Sequence, residues 1–159
     1  MSAQTSYSLD QSIAYAGLIF AQSPHDIISR SVETAGGVDF GVAVSRGTNK
    51  NRQCVVGASD FIGISIRSLE REGAANTGEV KYREKETAGI MRNGYIWVIC
   101  PSGCNAGDKV KCSTSTGVID AGDAGAGETQ ILGAVFDTTA SAGELAVVRI
   151  QGLTTVAGS

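Results

Sequence analysis

The sequence carries little charge and no cluster of one sign. Charged residues make up 18% of its 159 residues, below the roughly 25% typical of soluble domains. Acidic and basic side chains alternate, as in EVKYREKE (79–86), which predicts a solvated strand face. Proteins that bind nucleic acid neutralise phosphates with clustered Lys and Arg, so we expect no nucleic-acid partner. The low charge favours a surface that is partly buried against other chains.

Long apolar runs are absent as well. No stretch approaches the ~20 apolar residues that span a bilayer, so no membrane contact is expected. The run IAYAGLIFA (13–21) has the length of a signal-peptide core. The residues before it contain Asp10 and no Lys or Arg, whereas a secretion signal begins with a basic region. We therefore expect a protein made and kept in a reducing cytoplasm.

Histidine occurs once, which leaves little material for acid–base catalysis. His25 is followed directly by Asp26, and neighbouring residues of an extended chain point to opposite sides, so Asp26 is a poor partner for the imidazole. The sequence contains no G-x-S-x-G, no H-E-x-x-H and no phosphate-binding glycine loop. These absences predict a protein that is not an enzyme and holds no cofactor.

The acidic loop TGVIDAGDAGAGE (116–128) is similar to the substrate-binding motif of trimeric dUTPases. That motif continues with Tyr and Arg-Gly, but no Tyr follows Asp120 and no Arg precedes Gly125. The acids of DAGDAGAGE (120–128) do not have the spacing of an EF-hand calcium loop. We predict that this segment is a flexible, solvated loop.

The four cysteines raise the question of a structural zinc site. CPSGCNAGDKVKC holds Cys100, Cys104 and Cys112, while Cys54 lies far upstream. Structural zinc is usually held by two close Cys pairs, and this spacing provides only one. Because GYIWVIC and KVKC alternate like strands, we expect Cys100 and Cys112 to be free thiols among core side chains. A reducing compartment disfavours a disulfide, and no metal is expected.

Alternation with a period of two residues dominates after residue 37 and predicts strands. The run at 61–67 places Ile62, Ile64 and Ile66 on one face, and YIWVIC (95–100) is apolar on both faces, as in a central strand. Further strands are predicted in VDFGVAVSR, QILGAVFD and ELAVVRIQ. Asn93-Gly94 is the typical pair of a type I′ hairpin. The runs NAGD (105–108) and SAGE (141–144) predict turns that lead into strands.

Helical periodicity longer than about two turns is absent, and many short strands at regular spacing indicate a sandwich or barrel. The predicted fold is all-β, a single jelly-roll-like β-sandwich or barrel domain over 37–155. An extended N-terminal arm or first element precedes it at 1–36, and a short tail follows at 156–159.

The stretch AYAGLIFAQSPHDIISRS (14–31), followed by GGVDFGVAVSRG (36–47), resembles the N-terminal region of structural cement proteins of tailed bacteriophages. The later runs NAGDKVKCSTSTG (105–117) and ILGAVFDTTASAGELAVVRIQG (131–152) are similar to that family's C-terminal strands. The matching N-terminal positions are Ala14, Ala16, Gly17, Ile19, Ala21, Pro24, Asp26, Ile27, Ser29, Val38, Phe40, Gly41, Ala43, Val44 and Gly47.

The resemblance implies a capsid decoration protein of the virion, commonly a homotrimer on the outside of an icosahedral head. Its partner is then the major capsid protein, whose neighbouring subunits it clamps against internal DNA pressure. Under this hypothesis an apolar N-terminal arm contacts the capsid or a sister protomer. Its expected contact residues are Tyr15, Leu18, Ile19, Phe20, Pro24, His25, Asp26, Ile27, Ile28 and Arg30.

Three alternatives stay open at this point. Residues 13–20 also suit an ordinary first strand or short helix of the core. The chain also suits a β-sandwich binding domain of a phage tail or receptor-binding spike, although it has only nine aromatic residues for a sugar-binding platform. A trimeric nucleotide hydrolase is the third, and it lacks the Tyr and Arg expected after Asp120.

Overall fold

Ten strands make up the fold of the residues that the structure describes. The structure, a computed structural model, describes residues 14–20, 24–68 and 80–159, and contains no helix within those ranges. The all-β prediction is confirmed. Among the described residues, therefore, no helix is long and apolar enough to cross a membrane. The strands are β1 Asp26–Val32, β2 Ala43–Arg46, β3 Gln53–Val56, β4 Phe61–Ser65, β5 Thr87–Cys100, β6 Lys109–Ser113, β7 Ile119–Ala121, β8 Glu128–Phe136, β9 Glu144–Ile150 and β10 Thr155–Ala157.

Five of the strands close a barrel. β1 pairs in parallel with β3 and antiparallel with β5, and the remaining contacts β3–β2, β2–β4 and β4–β5 are all antiparallel. The ring therefore runs β1-β3-β2-β4-β5 and returns to β1. Closure gives every barrel strand a neighbour on both sides, which removes the open edges that promote uncontrolled pairing with other chains.

A second sheet begins at the C-terminal half of β5. Residues 94–100 of β5 pair with β9, and the sheet continues through β8 and β6 to β7. On one side, β8 pairs with two strands in turn: its residues 129–131 pair with β10, and its residues 134–136 pair with β9. β5 is thus a central strand with partners on both sides, as its two apolar faces predicted.

The hairpin predicted at Asn93-Gly94 is wrong. Both residues lie inside β5, at the point where it passes from the barrel into the second sheet. The register with β1 shifts just after Asp26, which pairs with Asn93, and Gly94 has a φ of +129°. Arg92 is the extra residue of this bulge, and Gly94, two residues on, has the positive φ with which one continuous strand bends; a type I′ turn would need a positive φ at Asn93 as well.

Two apolar cores lie on opposite sides of the barrel wall. The barrel interior receives side chains from all five of its strands, namely Val32, Val44, Cys54, Ile62, Ala88 and Ile90, together with Val38, Phe40 and Tyr82. The second core lies between the second sheet and the outer side of β2 and β4, and its largest buried side chains include Phe136, Ile64, Met91, Ile96, Ile119, Ile131 and Ile150.

The shared face predicted for Ile62 and Ile64 is wrong. Ile62 faces the barrel core, whereas Ile64 belongs to the second core. Two consecutive residues of β2 pair with Gly63 and Phe61, so Ile62 is an extra residue in β4. A bulge of this kind shifts the alternation by one residue, and it lets one short strand fill both cores.

Four turns that lead into strands share one hydrogen-bonding pattern. In each, the third residue has a positive φ, and the carboxylate of the fourth accepts a hydrogen bond from the backbone N–H of the first. These turns are at 83–86, 105–108, 125–128 and 141–144. The NAGD and SAGE predictions are confirmed, and the same device also begins β8 and precedes β5.

The charged run at 79–86 does not form the predicted strand over its described residues, 80–86. Tyr82 makes a single β-bridge to Val38, and the turn at 83–86 follows. Tyr82 is buried, and its hydroxyl donates a 2.9 Å hydrogen bond to the carbonyl of Ile66. The side chains of Arg83, Glu84 and Lys85 are exposed, as the alternating charges predicted.

The turn before β8 makes stability depend on pH. The backbone N–H of Gly125 donates to Glu128 at 2.8 Å, and Lys111 lies 3.2 Å away; the Gly125 bond above all, and Lys111 with it, lower the pKa of this carboxyl although burial opposes them. The carboxylate therefore stabilises the fold above its unfolded pKa, and this contribution is lost as pH falls through the lower folded pKa. We expect Glu128→Gln to cost roughly 1 kcal/mol at pH 7 in urea denaturation, and progressively less below about pH 4. Glu84→Gln, at an exposed position, is the control and should cost little at either pH. A Glu128→Gln penalty that is the same at both pH values would contradict this account.

Candidate functional site

Residues 14–20, here called the strap, lie along the second half of β5. The N–H of Gly17 donates to the carbonyl of Trp97 at 2.7 Å, and Trp97 returns a 2.9 Å bond to Leu18. Phe20 donates to Tyr95 at 3.0 Å. The backbone N–H and C=O of Trp97 are thus both hydrogen-bonded to the strap. The strap therefore adds a short strand to β5 on the side away from β9.

Two glycines hold the strap against the barrel. Gly17 and Gly41 have φ values of +82° and +73°, and a Cβ on either one would lie 3.0 Å or less from atoms of the other residue's segment. The N–H of Arg67 also donates to the carbonyl of Gly17 at 2.7 Å. Only glycine permits both this backbone conformation and this approach, so the Gly17–Gly41 contact fixes where the strap lies.

The outer face of the strap and of β5 is aromatic. Phe20 packs edge-on against Trp97 with ring centroids 5.4 Å apart, and Tyr95 lies at 6.3 Å. The guanidinium of Arg67 lies 4.7 Å from the ring centre of Tyr15, a cation–π distance. Although packed in this way, Tyr15 is 51% exposed and Phe20 46% exposed.

The ten predicted contact residues form two groups that follow one another along β5. Tyr15, Leu18, Ile19 and Phe20 belong to the strap, and Ile19 makes a β-bridge with Ile96. The other group comprises Pro24 and His25, which are exposed just before β1, and Asp26, Ile27, Ile28 and Arg30 within β1.

Members of the second group are also committed to the barrel. Asp26 forms a 3.2 Å ion pair with Arg92 of β5, and Ile28 packs against the barrel core. β1 falls within the predicted arm at 1–36, yet it closes the barrel by pairing with β3 and β5. The contact roles of all ten residues, and the division of the chain at residue 36, stay predictions.

Comparison with known proteins identifies the family. The family described as structural cement protein (E217 gp24/Pam3 gp6) matches residues 3–151, nearly the whole chain. The chain belongs to the phage structural cement proteins. A chain in the solved structure "The capsid of Myoviridae Phage XM1" shares the fold with a TM-score of 0.72, covering 97% of this chain and 100% of that chain at 19% sequence identity. No curated protein matches the sequence.

This membership confirms the resemblance seen in the sequence. The cement protein is a structural component of the phage capsid, and hence of the virion, and is not an enzyme. Association with the capsid implies the major capsid protein as a partner. The nucleotide-hydrolase and tail-spike alternatives are set aside, because the match is to a capsid structural family over 149 of 159 residues, 3–151.

The acids of the 116–128 loop are engaged by the cement protein's own groups. Asp120 accepts hydrogen bonds from the hydroxyl and N–H of Ser102, the thiol of Cys100 and the N–H of Ala121. Burial alone would raise the pKa of Asp120, but these bonds outweigh it and lower the pKa. Asp123 pairs with Lys109 at 2.5 Å. Both acids therefore have structural roles within the chain.

All four cysteines of the cement protein are buried free thiols, and Cys100 and Cys112 lie in the second core as predicted. Burial raises the pKa of Cys54 to about 11. Burial and then the hydrogen bond to Asp120 raise the pKa of Cys100 to about 12. Burial also raises the pKa of Cys104 and Cys112. Within the described ranges no group of three or more His, Cys, Asp or Glu is arranged to hold a metal ion.

The Gly17–Gly41 contact predicts the effect of adding one methyl group. Gly17→Ala should destabilise the cement protein by about 2–4 kcal/mol, because the Cβ meets backbone atoms of Arg67 and Gly41 at 3.0 Å or less in addition to the strain of a positive φ. Gly127→Ala is the matched control: φ is +78° there, with nothing within 4 Å of a Cβ, and we expect a cost of about 1 kcal/mol.

Thermal unfolding gives the stability difference between these two variants. Hydrogen exchange at the Trp97 amide reports strap docking, because that N–H donates to Leu18. Equal destabilisation by both variants, with no faster exchange at Trp97 in Gly17→Ala, would show that the close approach does not matter.

The buried thiols predict chemical inertness. In native protein at pH 8, iodoacetamide should leave all four cysteines unmodified over a period that alkylates all four in denaturant, because the reactive thiolate is both inaccessible and disfavoured. Intact-mass spectrometry counts the adducts. Fast modification of any one thiol in the native state would contradict the burial described here.

Proposed function

We propose that the cement protein binds the outside of the phage head and holds neighbouring subunits of the major capsid protein together against the pressure of packaged DNA. The observation that carries this proposal is the family match over residues 3–151. The exposed aromatic surface of the strap supports it, since apolar side chains gain about 25 cal/mol for each Å² removed from water.

The N-terminal region supplies the contact in this proposal. The strap positions the residues that precede it, because Gly17 and Leu18 are bonded to Trp97 and so hold the chain at β5. An extended segment held at one end can add a strand to a neighbouring sheet or bury apolar side chains there, and it forms contacts that tolerate sequence change. Residues 1–13, which include Tyr7, Leu9 and Ile13, lie outside the described residues.

A homotrimer is the second part of the proposal. Three chains in one particle present three N-terminal regions together, and linked sites gain an effective concentration of the order of mM. Modest individual contacts then suffice to hold several capsid subunits. Light scattering after size exclusion checks this part, with three times the 16.3 kDa chain mass as the expected value.

The structure shows where a truncation should end. Removing residues 1–30 would delete the strap and most of β1, which closes the barrel, so such a variant would lose its fold as well as its arm. Removing residues 1–13 leaves every described strand intact. We expect full-length protein to co-sediment saturably with expanded shells of the same phage's major capsid protein, and the 1–13 deletion to bind at least tenfold more weakly.

The unfolding midpoint of the truncated protein is the control, and it should stay within a few degrees of the full-length value. Unchanged binding by a folded 1–13 deletion would refute a contact by residues 1–13 and would leave the strap and β1, which the variant retains, as the contact. No pelleting by full-length protein would refute the cement function proposed for this shell.

A further inference from the structure

The outer side of β5 carries an apolar groove that has no role in the contact proposed for residues 1–13. Two clefts, of about 540 and 300 Å³, meet at Ile99 and are both bordered by Ala16 of the strap. Ile99 is 49% exposed although it lies near the end of a central strand. We call the two clefts together the Ile99 groove.

Apolar side chains make up most of the walls of the Ile99 groove. Tyr15, Trp97 and Leu145 line the larger cleft. Phe40, Val42, Pro101 and Val118 line the smaller one. The walls come from five separate segments of the chain and enclose a concave apolar surface that a single apolar side chain of another chain can enter.

The charged residues that line the Ile99 groove are both acidic. Glu144 lies in the larger cleft and Asp39 in the smaller one, and among the described residues neither cleft is lined by Lys or Arg. The guanidinium of Arg67 is stacked against the rings of Tyr15 and Phe40. A ligand that fills both clefts therefore meets an apolar centre between two carboxylates.

This pattern selects among the possible occupants. The cement protein's own residues 1–13 contain Asp10 and no basic residue, so they do not complement Glu144 and Asp39. A segment with an apolar side chain between Lys or Arg residues complements both the apolar centre of the groove and the carboxylates at its two ends. Matched charges of this kind favour one register of the bound segment and penalise wrong partners.

We propose that the Ile99 groove is the docking site for such a basic–apolar segment of the major capsid protein. The proposal rests on the cement function proposed above and adds a second contact, distinct from the arm. In it, an apolar side chain covers Ile99 and flanking basic residues pair with Glu144 and Asp39.

The test is a co-sedimentation titration on the same shells, with a charge placed at the groove centre. Ile99→Asp should weaken binding at least tenfold, the effect of losing about 1.4 kcal/mol. Leu132→Asp is the matched control, because Leu132 is 59% exposed and borders a separate cleft beside Val156. We expect it to bind as the unmodified protein does.

A second variant tests the charges and does not depend on the tolerance of β5 for Asp. Asp39→Lys combined with Glu144→Lys should weaken binding about tenfold at low salt and less at high salt, since screening removes both attraction and repulsion. Glu86→Lys with Asp60→Lys is the control, because it reverses the same number of charges and removes the equivalent turn hydrogen bond, at 83–86, away from the groove. Far-ultraviolet circular dichroism and the unfolding midpoint verify the fold of each variant.

The outcomes separate the two proposals. If the unmodified protein binds and both groove variants, folded, bind equally well, the docking site is refuted while the cement function stands. If the Ile99→Asp protein has a smaller particle mass in solution, the groove joins copies of this chain, which also refutes capsid docking. If the unmodified protein does not bind the shells, the cement function itself fails.

Discussion

The architecture depends on β5 belonging to two sheets at once. Its first half closes the barrel with β1 and β4, and its second half begins the second sheet with β9. The passage between them takes place at Asn93 and Gly94, where the φ of +129° allows the strand to change partners without ending. Because both cores pack on this strand, a break there would separate them.

The same strand positions the surfaces for which we propose capsid contacts. Its edge receives the strap, whose place is set by the close contact of Gly17 with Gly41. Its outer face presents Tyr95, Trp97 and Ile99, and the strap adds aromatic side chains beside them. The central strand and the strap bonded to it hold these side chains in place, and under the proposed capsid contact such preorganisation reduces the entropic cost of binding.

The parts that the sequence predicted correctly are those governed by local rules. The alternation in YIWVIC predicted a central strand. NAGD and SAGE predicted turns, because a glycine with positive φ at the third position and an acid at the fourth form the turn without distant partners. The burial of Cys100 and Cys112 followed from the same alternation. The family resemblance rested on runs spread over most of the chain and was confirmed.

The sequence by itself determined the all-β class and the NAGD and SAGE turns, since these depend on residues close together in the chain, and it indicated the family through short runs spread over most of its length. Only the tertiary structure decided that Asn93-Gly94 lies inside a strand, because the pair suits a bend as well as a turn and the two differ in their distant partners, here β1 and β9. Only the tertiary structure placed Ile62 and Ile64 in different cores, since one extra residue in β4 depends on the register with β2. The Ile99 groove is likewise a product of long-range packing: its walls come from segments up to about 130 residues apart that meet only once both sheets have formed around β5.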